Sequence, residues 1–209
     1  TPADLEDPGL PSWFDFSHQI SALIKRWAPA TWTGYNSIAF DEEFLRQSFY
    51  QNLHPNIYQI QFNHNDRLDL MKVIYAIWDR APGTLEWPLD DNGGVSFKLD
   101  RLAPANGFTA HNAHDALGDV EATIHMATLI RDRAPAVWAR CLRNRDKHEV
   151  ASILQSGHPV HLIERFGAAP PRSFMCVYAG TNPQNKNAMG MLDLDTCNAA
   201  EIVDADDEA

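Results

Sequence analysis

The chain has 209 residues, 44% of them hydrophobic, with a net charge of −11 and three cysteines. That length can bury one core and part of a second, and the negative total argues against a protein that binds nucleic acid over its whole surface, while leaving room for a basic path beside an acidic site. Cys141, Cys176 and Cys197 are odd in number and far apart, a pattern that fits neither a disulfide framework nor a zinc site and points to a reducing, cytoplasmic setting.

Residues 1–12 are rich in Pro, Gly and Asp and read as loop. Phe16, Ile20, Leu23, Ile24 and Trp27 follow helical spacing, so 13–28 reads as an amphipathic helix that Pro29 ends. The β-prone residues 30–33 before Gly34 read as a strand. A second helix is expected over 40–50, with Phe44, Leu45 and Phe49 inward. Residues 51–66 have no period and read as loop. Leu70, Val73, Ile74 and Ile77 mark a third helix with Asp69 near its start. The Pro/Gly-rich stretch 79–95 is a long connection of the kind that is usually functional or disordered. A short helix is expected over 97–102. Val120, Ile124, Ala127 and Ile130 define a further helix, and 137–156 is helical after Pro135. From about 157 the texture becomes β-prone, with strands expected at 174–178 and 189–194. The acidic end, 201–209, reads as a frayed tail. The six tryptophans read as core or domain-contact residues. No apolar run approaches the roughly 18 residues of a membrane span, so no membrane contact is expected. The chain opens on Thr1-Pro2 with no initiating Met, which suggests residues upstream.

Two patterns carry chemistry. The first, 34–41 (GYNSIAFD), is a strand end, a glycine turn and an Asp in the first turn of a helix. Asp41 would be held on a rigid element and favoured by the helix dipole, or it would be only a first-turn acid. The second, 114–120 (HDALGDV), places His114 just outside a helix capped by Asp115, with Asp119 about one turn in. A carboxylate and an imidazole converging there could act as metal ligand and general base, or as solvated polar residues beside a cap.

Together these patterns resemble motifs two and three of the DEDDh exonucleases, and the resemblance is closest to the exonuclease I family. It is carried by 34–50 (GYNSIAFDEEFLRQSFY), 63–70 (NHNDRLDL), 96–107 (SFKLDRLAPANG), 112–130 (NAHDALGDVEATIHMATLI), 143–154 (RNRDKHEVASIL) and 182–195 (NPQNKNAMGMLDLD), in that order. The resemblance implies an α/β fold, with a ribonuclease-H-like exonuclease domain over 1–145 whose N-terminal strands are missing. A linker helix and the truncated start of an SH3-like β domain would follow over 146–209.

The activity implied is Mg²⁺-dependent 3′→5′ hydrolysis of single-stranded DNA to nucleoside 5′-monophosphates, in DNA repair and recombination. It would use two Mg²⁺ ions about 3.5–4 Å apart, with Mn²⁺ as a substitute. Asp41 and Asp119 match metal carboxylates, and His114 matches the histidine that activates the attacking water. Arg46 matches a residue that contacts single-stranded DNA. Lys98 stands where the family has a phosphate-binding arginine, keeping the charge but losing the bidentate fork. Asn36 is a further substrate-binding candidate. Ile57 and Gln61 replace aromatic residues of the family's strand groove. Single-strand-binding protein is the partner implied, and a monomer is expected.

The family's first motif, an Asp-x-Glu on the opening strand, has no counterpart here. Asp4-Leu5-Glu6 lies among prolines and glycine, and Asp41-Glu42-Glu43 overlaps the second motif. The chain therefore reads as an internal fragment, expected to be nearly inactive alone. The alternative is a degenerate, non-catalytic module that binds single-stranded nucleic acid. An RNA-directed or proofreading relative would lack the 182–195 region, and a plain α/β protein would use both motifs only as helix caps.

Overall fold

The computed structural model describes residues 7–109 and 116–197. The chain divides into two compact units, Thr1–Leu70 and Met71–Ala209.

The first unit begins with helix α1 (Trp13–Trp27), capped by the Ser12 hydroxyl, which accepts from the Asp15 amide. Strand β1 (Thr31–Gly34) leads to helix α2 (Asp41–Gln51), a 3₁₀ turn (Gln59–Gln61) and strand β2 (Asp66–Asp69). The two strands pair in parallel, Thr31 with Asp66 through Gly34 with Asp69. A parallel pair needs a long crossover, and α2 with the 3₁₀ turn supplies it. Strand β2 was not expected, but Asp69, its last residue, directly precedes the helix that begins at Leu70, near whose start it is expected. The four residues DRLD carry three charges and one leucine, which gives no strand period to read.

The core of this unit is Ile24, Phe49 and Ile60, with Ile20, Trp32, Leu45 and Ile57 packed against it. The faces differ from the expectation in an instructive way. On α1 the buried stripe is Ser17, Ser21 and Ile24, while Phe16, Leu23 and Trp27 are exposed. On α2 it is Glu42, Ser48 and Phe49, while Phe44 is 61% exposed. Apolar counting misses both stripes because polar side chains occupy them, most of them with partners on other segments. Ser21 donates to Gln59 Oε1 (2.6 Å), the Gln59 amide faces His54 Nδ1 (3.4 Å), and Ser17 lies 2.9 Å from His54 Nε2. Exposed Trp13 lies beside Phe44, with ring centroids 5.9 Å apart, so Trp13 and Trp27 are surface residues rather than core.

In the second unit α3 (Leu70–Arg80) continues directly from β2. Asp79 and Arg80, expected in the connection, close α3, and residues 81–95 form the link to the next helix. A 3₁₀ turn (Pro82–Thr84) starts it, Trp87 Nε1 donates to the Pro82 carbonyl, and Leu89 bridges Val95. Trp87 and Trp78 pack with Phe97 at centroid separations of 4.9–5.6 Å. Helix α4 (Leu99–Ala105) lies against α5 (Ala116–Arg133).

The buried face of α5 is Gly118, Ala122, Thr123, Met126 and Ile130. Val120 and Ile124, expected inward, are 54% and 60% exposed. Its first turns are small, Gly118, Ala122 and Thr123, and Leu102 and Ala103 of α4, the helix packed against it, are fully buried. The single helix expected over 137–156 is two, α6 (Pro135–Arg143) and α7 (Lys147–Gln155). Asp146 caps the second by accepting from the amides of His148 and Glu149, and those N–H groups hold its carboxyl below the usual carboxylate range.

Three antiparallel strands follow, β3 (Val160–Glu164), β4 (Arg172–Thr181) and β5 (Met189–Asp193), in that spatial order. The first of them lacked a sequence signal, since His161 and Glu164 interrupt its apolar residues. Helix α3 is tied to this sheet. Lys72 Nζ meets both carboxylate oxygens of Glu164 (2.8 and 2.7 Å), and Asp79 accepts from the amide and hydroxyl of Ser173. Among the described residues no helix is long and apolar enough to cross a membrane.

The contacts of His54 fit one neutral tautomer. Ser17 donates its hydroxyl proton to the Phe14 carbonyl, so His54 Nε2–H donates to Ser17, and Nδ1 accepts from Gln59. Protonation would set an N–H against the Gln59 amide. Burial first, then the charges of His18 and Lys25, lower the His54 pKa from 6.5. A lowered folded-state pKa means that the unfolded chain binds more protons, so stability rises with pH. The first unit is expected to hold its full stability above pH 6.5 and to lose part of it as the pH falls below that value. His54→Gln should flatten the profile. Urea midpoints measured from about pH 8 to about pH 5 check this, and a wild-type midpoint that does not change with pH would refute it.

Candidate active site

Gly34 ends β1, and a Cβ placed on it would meet Ser37 Cβ at 2.8 Å. The turn that follows needs that space. Asn36 sits at φ 58, the left-handed region that Asn tolerates better than most residues. Ser37 is buried, and its carbonyl accepts from the Glu42 amide (2.9 Å), which closes the segment onto the start of α2. The turn is also gripped from β2. Asp69, 3% exposed, accepts from the Asn36 amide through Oδ1 (2.8 Å) and from the Ile38 amide through Oδ2 (3.3 Å). Two residues earlier, Arg67 Nη1 donates to Glu42 Oε2 at 2.6 Å, and Glu42 is 4% exposed.

Asp41 is the first residue of α2, between these two grips. Its carboxylate is exposed, and no described residue hydrogen-bonds to it or pairs with it. Arg46 lies on the same helix and is already engaged. It pairs with Glu43 and stacks over the Tyr58 ring at 5.7 Å. The hydrogen bond from Gln47, then Arg46, holds the Glu43 carboxyl below its usual range.

The second unit carries the other candidates. Asp119 lies in the first turn of α5 and is exposed, and its backbone carbonyl accepts from the Thr123 hydroxyl (2.8 Å). Lys98 is exposed at the N-cap of α4, beside buried Phe97. His114 lies outside the described residues. Asp41 and Asp119 thus belong to different units and are described separately.

Exposed carboxylate oxygens are the donors a hard divalent cation takes, and Asp41 has none of its own committed to a described neighbour. The donor type therefore fits Mg²⁺. Among the described residues, however, no group of three or more His, Cys, Asp or Glu gathers to hold a metal.

No protein-family model matches the sequence. Exodeoxyribonuclease I of Escherichia coli (strain K12) is 37% identical over 165 residues, covering 77% of this chain and 34% of that protein. Exodeoxyribonuclease I of Haemophilus influenzae is 34% identical over 199 residues, covering 93% of this chain and 41% of that protein. The crystal structure of E. coli exonuclease I with a dA16 oligonucleotide superimposes with a TM-score of 0.78 at 31% identity, over 93% of this chain and 42% of that one. An ExoI/SSB-Ct complex gives the same TM-score at 30% identity.

The chain is a homologue of the exodeoxyribonuclease I proteins.

It spans well under half the length of the relatives it matches. Seen beside exonuclease I, Ile57 has a packing role, since it lies against the Ile24–Phe49–Ile60 core. The sequence reading missed Asp69, Arg67 and Glu42. The one available signal was the spacing of Arg67 and Asp69 across Leu68, which puts both charges on one face if the segment is a strand.

Gly34→Ala is expected to destabilise the first unit by about 1–3 kcal/mol, the usual cost of overpacking. Adding Ser37→Gly removes the atom struck and should recover part of the loss. Urea midpoints of the single and double variants check this. A double variant no more stable than Gly34→Ala alone would show that the contact is not the cause.

Proposed function

We propose that this chain is part of a Mg²⁺-dependent 3′→5′ exonuclease that hydrolyses single-stranded DNA to nucleoside 5′-monophosphates, in repair and recombination. The observation that carries the reading is Asp41: an exposed, uncommitted carboxylate on a braced helix start, in a chain homologous to exodeoxyribonuclease I. On this reading β1, β2 and the helices up to about residue 145 are part of a ribonuclease-H-like domain. The antiparallel sheet β3–β5 begins an SH3-like domain within 146–209. Single-stranded DNA is the substrate, as the dA16 complex of the E. coli enzyme supports. Single-strand-binding protein is a partner, as the ExoI/SSB-Ct complex supports.

Asp41 and Asp119 would hold the metal, with further oxygen ligands. Magnesium, when bound, supplies positive charge against the charge that builds on the phosphate oxygens. His114 accepts the proton of the attacking water as its oxygen bonds to phosphorus, and the bond to the 3′ oxygen of the preceding nucleotide breaks. Lys98 and Arg46 would neutralise backbone phosphates. Arg46 must share its charge with Glu43, so its contribution is expected to be smaller than that of a free arginine. Asn36, in the braced turn, lies in the same segment and would contact the terminal nucleotide.

A second reading, a single-strand-binding module without catalysis, is favoured by the absence of a three-ligand metal cluster among the described residues. The test is nucleotide release from 3′-labelled single-stranded DNA. It is run on the 209-residue chain and on the chain joined to the flanking sequence of its gene, with and without Mg²⁺. The longer protein is expected to release mononucleotides only with Mg²⁺, and the chain alone to be nearly inactive. Asp41→Asn and Asp119→Asn in the longer protein should each lower the rate by about 10²-fold or more, the scale on which a lost charge-stabilising group acts. Binding of single strands without release, unchanged by either substitution, would favour the second reading.

A further inference from the structure

We propose that β2 is a positioning strand for Asp41, with Asp69 as its principal positioning residue and Arg67 as the second. The inference rests on the reading of Asp41 as a metal ligand and extends it to residues that touch neither metal nor DNA.

Three observations carry it. First, Asp69 is almost fully buried and spends both carboxylate oxygens on backbone amides of one turn, those of Asn36 and Ile38. These hydrogen bonds order the left-handed Asn36 and the residues that lead into α2. Second, Arg67 stands two residues before Asp69 and so projects to the same face of the strand. It holds Glu42, the residue after Asp41. The segment 36–42 is therefore gripped on both sides of Asp41 by one strand, whose register on β1 is fixed by the pairing of Gly34 with Asp69. Third, the Arg67–Glu42 pair is weak evidence of a stabilising role. Glu42 is buried with Oε1 lacking a hydrogen-bond partner while the Arg67 side chain stays partly exposed, and the desolvation of a buried charge can exceed what such a pair returns. Fixing a neighbouring side chain is a better account of it than stability.

Groups that orient a ligand typically change metal affinity or activity by about 10–100-fold when lost. Asp69→Asn keeps the shape but turns one acceptor into an N–H donor facing a backbone N–H. It is made in the protein with its native flanking sequence, beside Ile60→Val, a core change in the same unit that lowers stability without touching the turn. Mn²⁺ affinity is read by electron paramagnetic resonance, amide exchange across 34–42 by mass spectrometry, and nucleotide release by the labelled-strand assay.

Asp69→Asn is expected to speed exchange of the Asn36 and Ile38 amides and to weaken Mn²⁺ binding about tenfold or more. The half-saturating DNA concentration should not change. Ile60→Val should leave the Mn²⁺ affinity at the wild-type value. Unchanged exchange in Asp69→Asn, unchanged Mn²⁺ affinity, or an equal loss of affinity in Ile60→Val would each overturn the proposal. Asp41→Asn separates the two readings. If it leaves Mn²⁺ affinity intact, the ligand role of Asp41 fails, and the metal arm of this proposal with it. The exchange of the Asn36 and Ile38 amides still decides whether Asp69 holds the turn.

Discussion

The parallel pairing of four residues, Thr31–Gly34 with Asp66–Asp69, is the constraint on which the first unit turns. It aligns Gly34 with Asp69, so the strand end that releases the turn lies beside the carboxylate that receives its amides. Side chains on a strand alternate between faces, so a slip of one residue would turn Arg67 and Asp69 to the other side. The turn would lose two acceptors and Glu42 would keep a buried charge without its guanidinium. Register is therefore enforced by polar burial as much as by the small apolar core of Ile24, Phe49 and Ile60.

That polar burial sets what could be read in the sequence. The helices of the chain were legible because their apolar residues recur at helical spacing, and helix boundaries fall close to Pro29 and Pro135. Which face is buried was less legible. On α1 two serines take inner positions because His54 and Gln59 are there to bond them. On α2 Glu42 does so because Arg67 meets it. Hydropathy assigns such residues to solvent, and only the partner on a distant element reverses the assignment. Short strands were hardest. Asp66–Asp69 and Val160–Glu164 are four and five residues long and carry charge inside, which erases the alternation a longer strand would display.

The candidate site divides along the same line. Asp41, Asp119, Lys98 and Arg46 were legible as exposed charges in recognisable strings, and each is exposed or half-exposed in the fold. The residues that hold Asp41 were not, because their role is defined by backbone amides of a turn, and an amide leaves no mark in the one-dimensional pattern. Arg46 shows the converse. It reads as a free cation, yet Glu43 and Tyr58 already occupy it.

The contrast between Asp41 and its neighbours has a thermodynamic meaning. Its polar neighbours are committed: the Asn36 and Ile38 amides to Asp69, the Ser37 carbonyl to the Glu42 amide, Glu42 to Arg67, and Glu43 to Gln47 and Arg46. Of the three acids that open α2, Asp41 keeps its carboxylate uncommitted to any described residue. Ordering a backbone residue costs about 1–2 kcal/mol of conformational entropy. Here that cost is met when the turn folds, so a cation arriving at Asp41 need not order the segment that presents it. It also need not displace an ion pair, which an Asp41 bound to Arg46 or Arg67 would require. A braced backbone with a free side chain is the arrangement in which binding free energy is least consumed by reorganisation. The fold thus separates holding from binding, giving the first to β2 and leaving the second to Asp41.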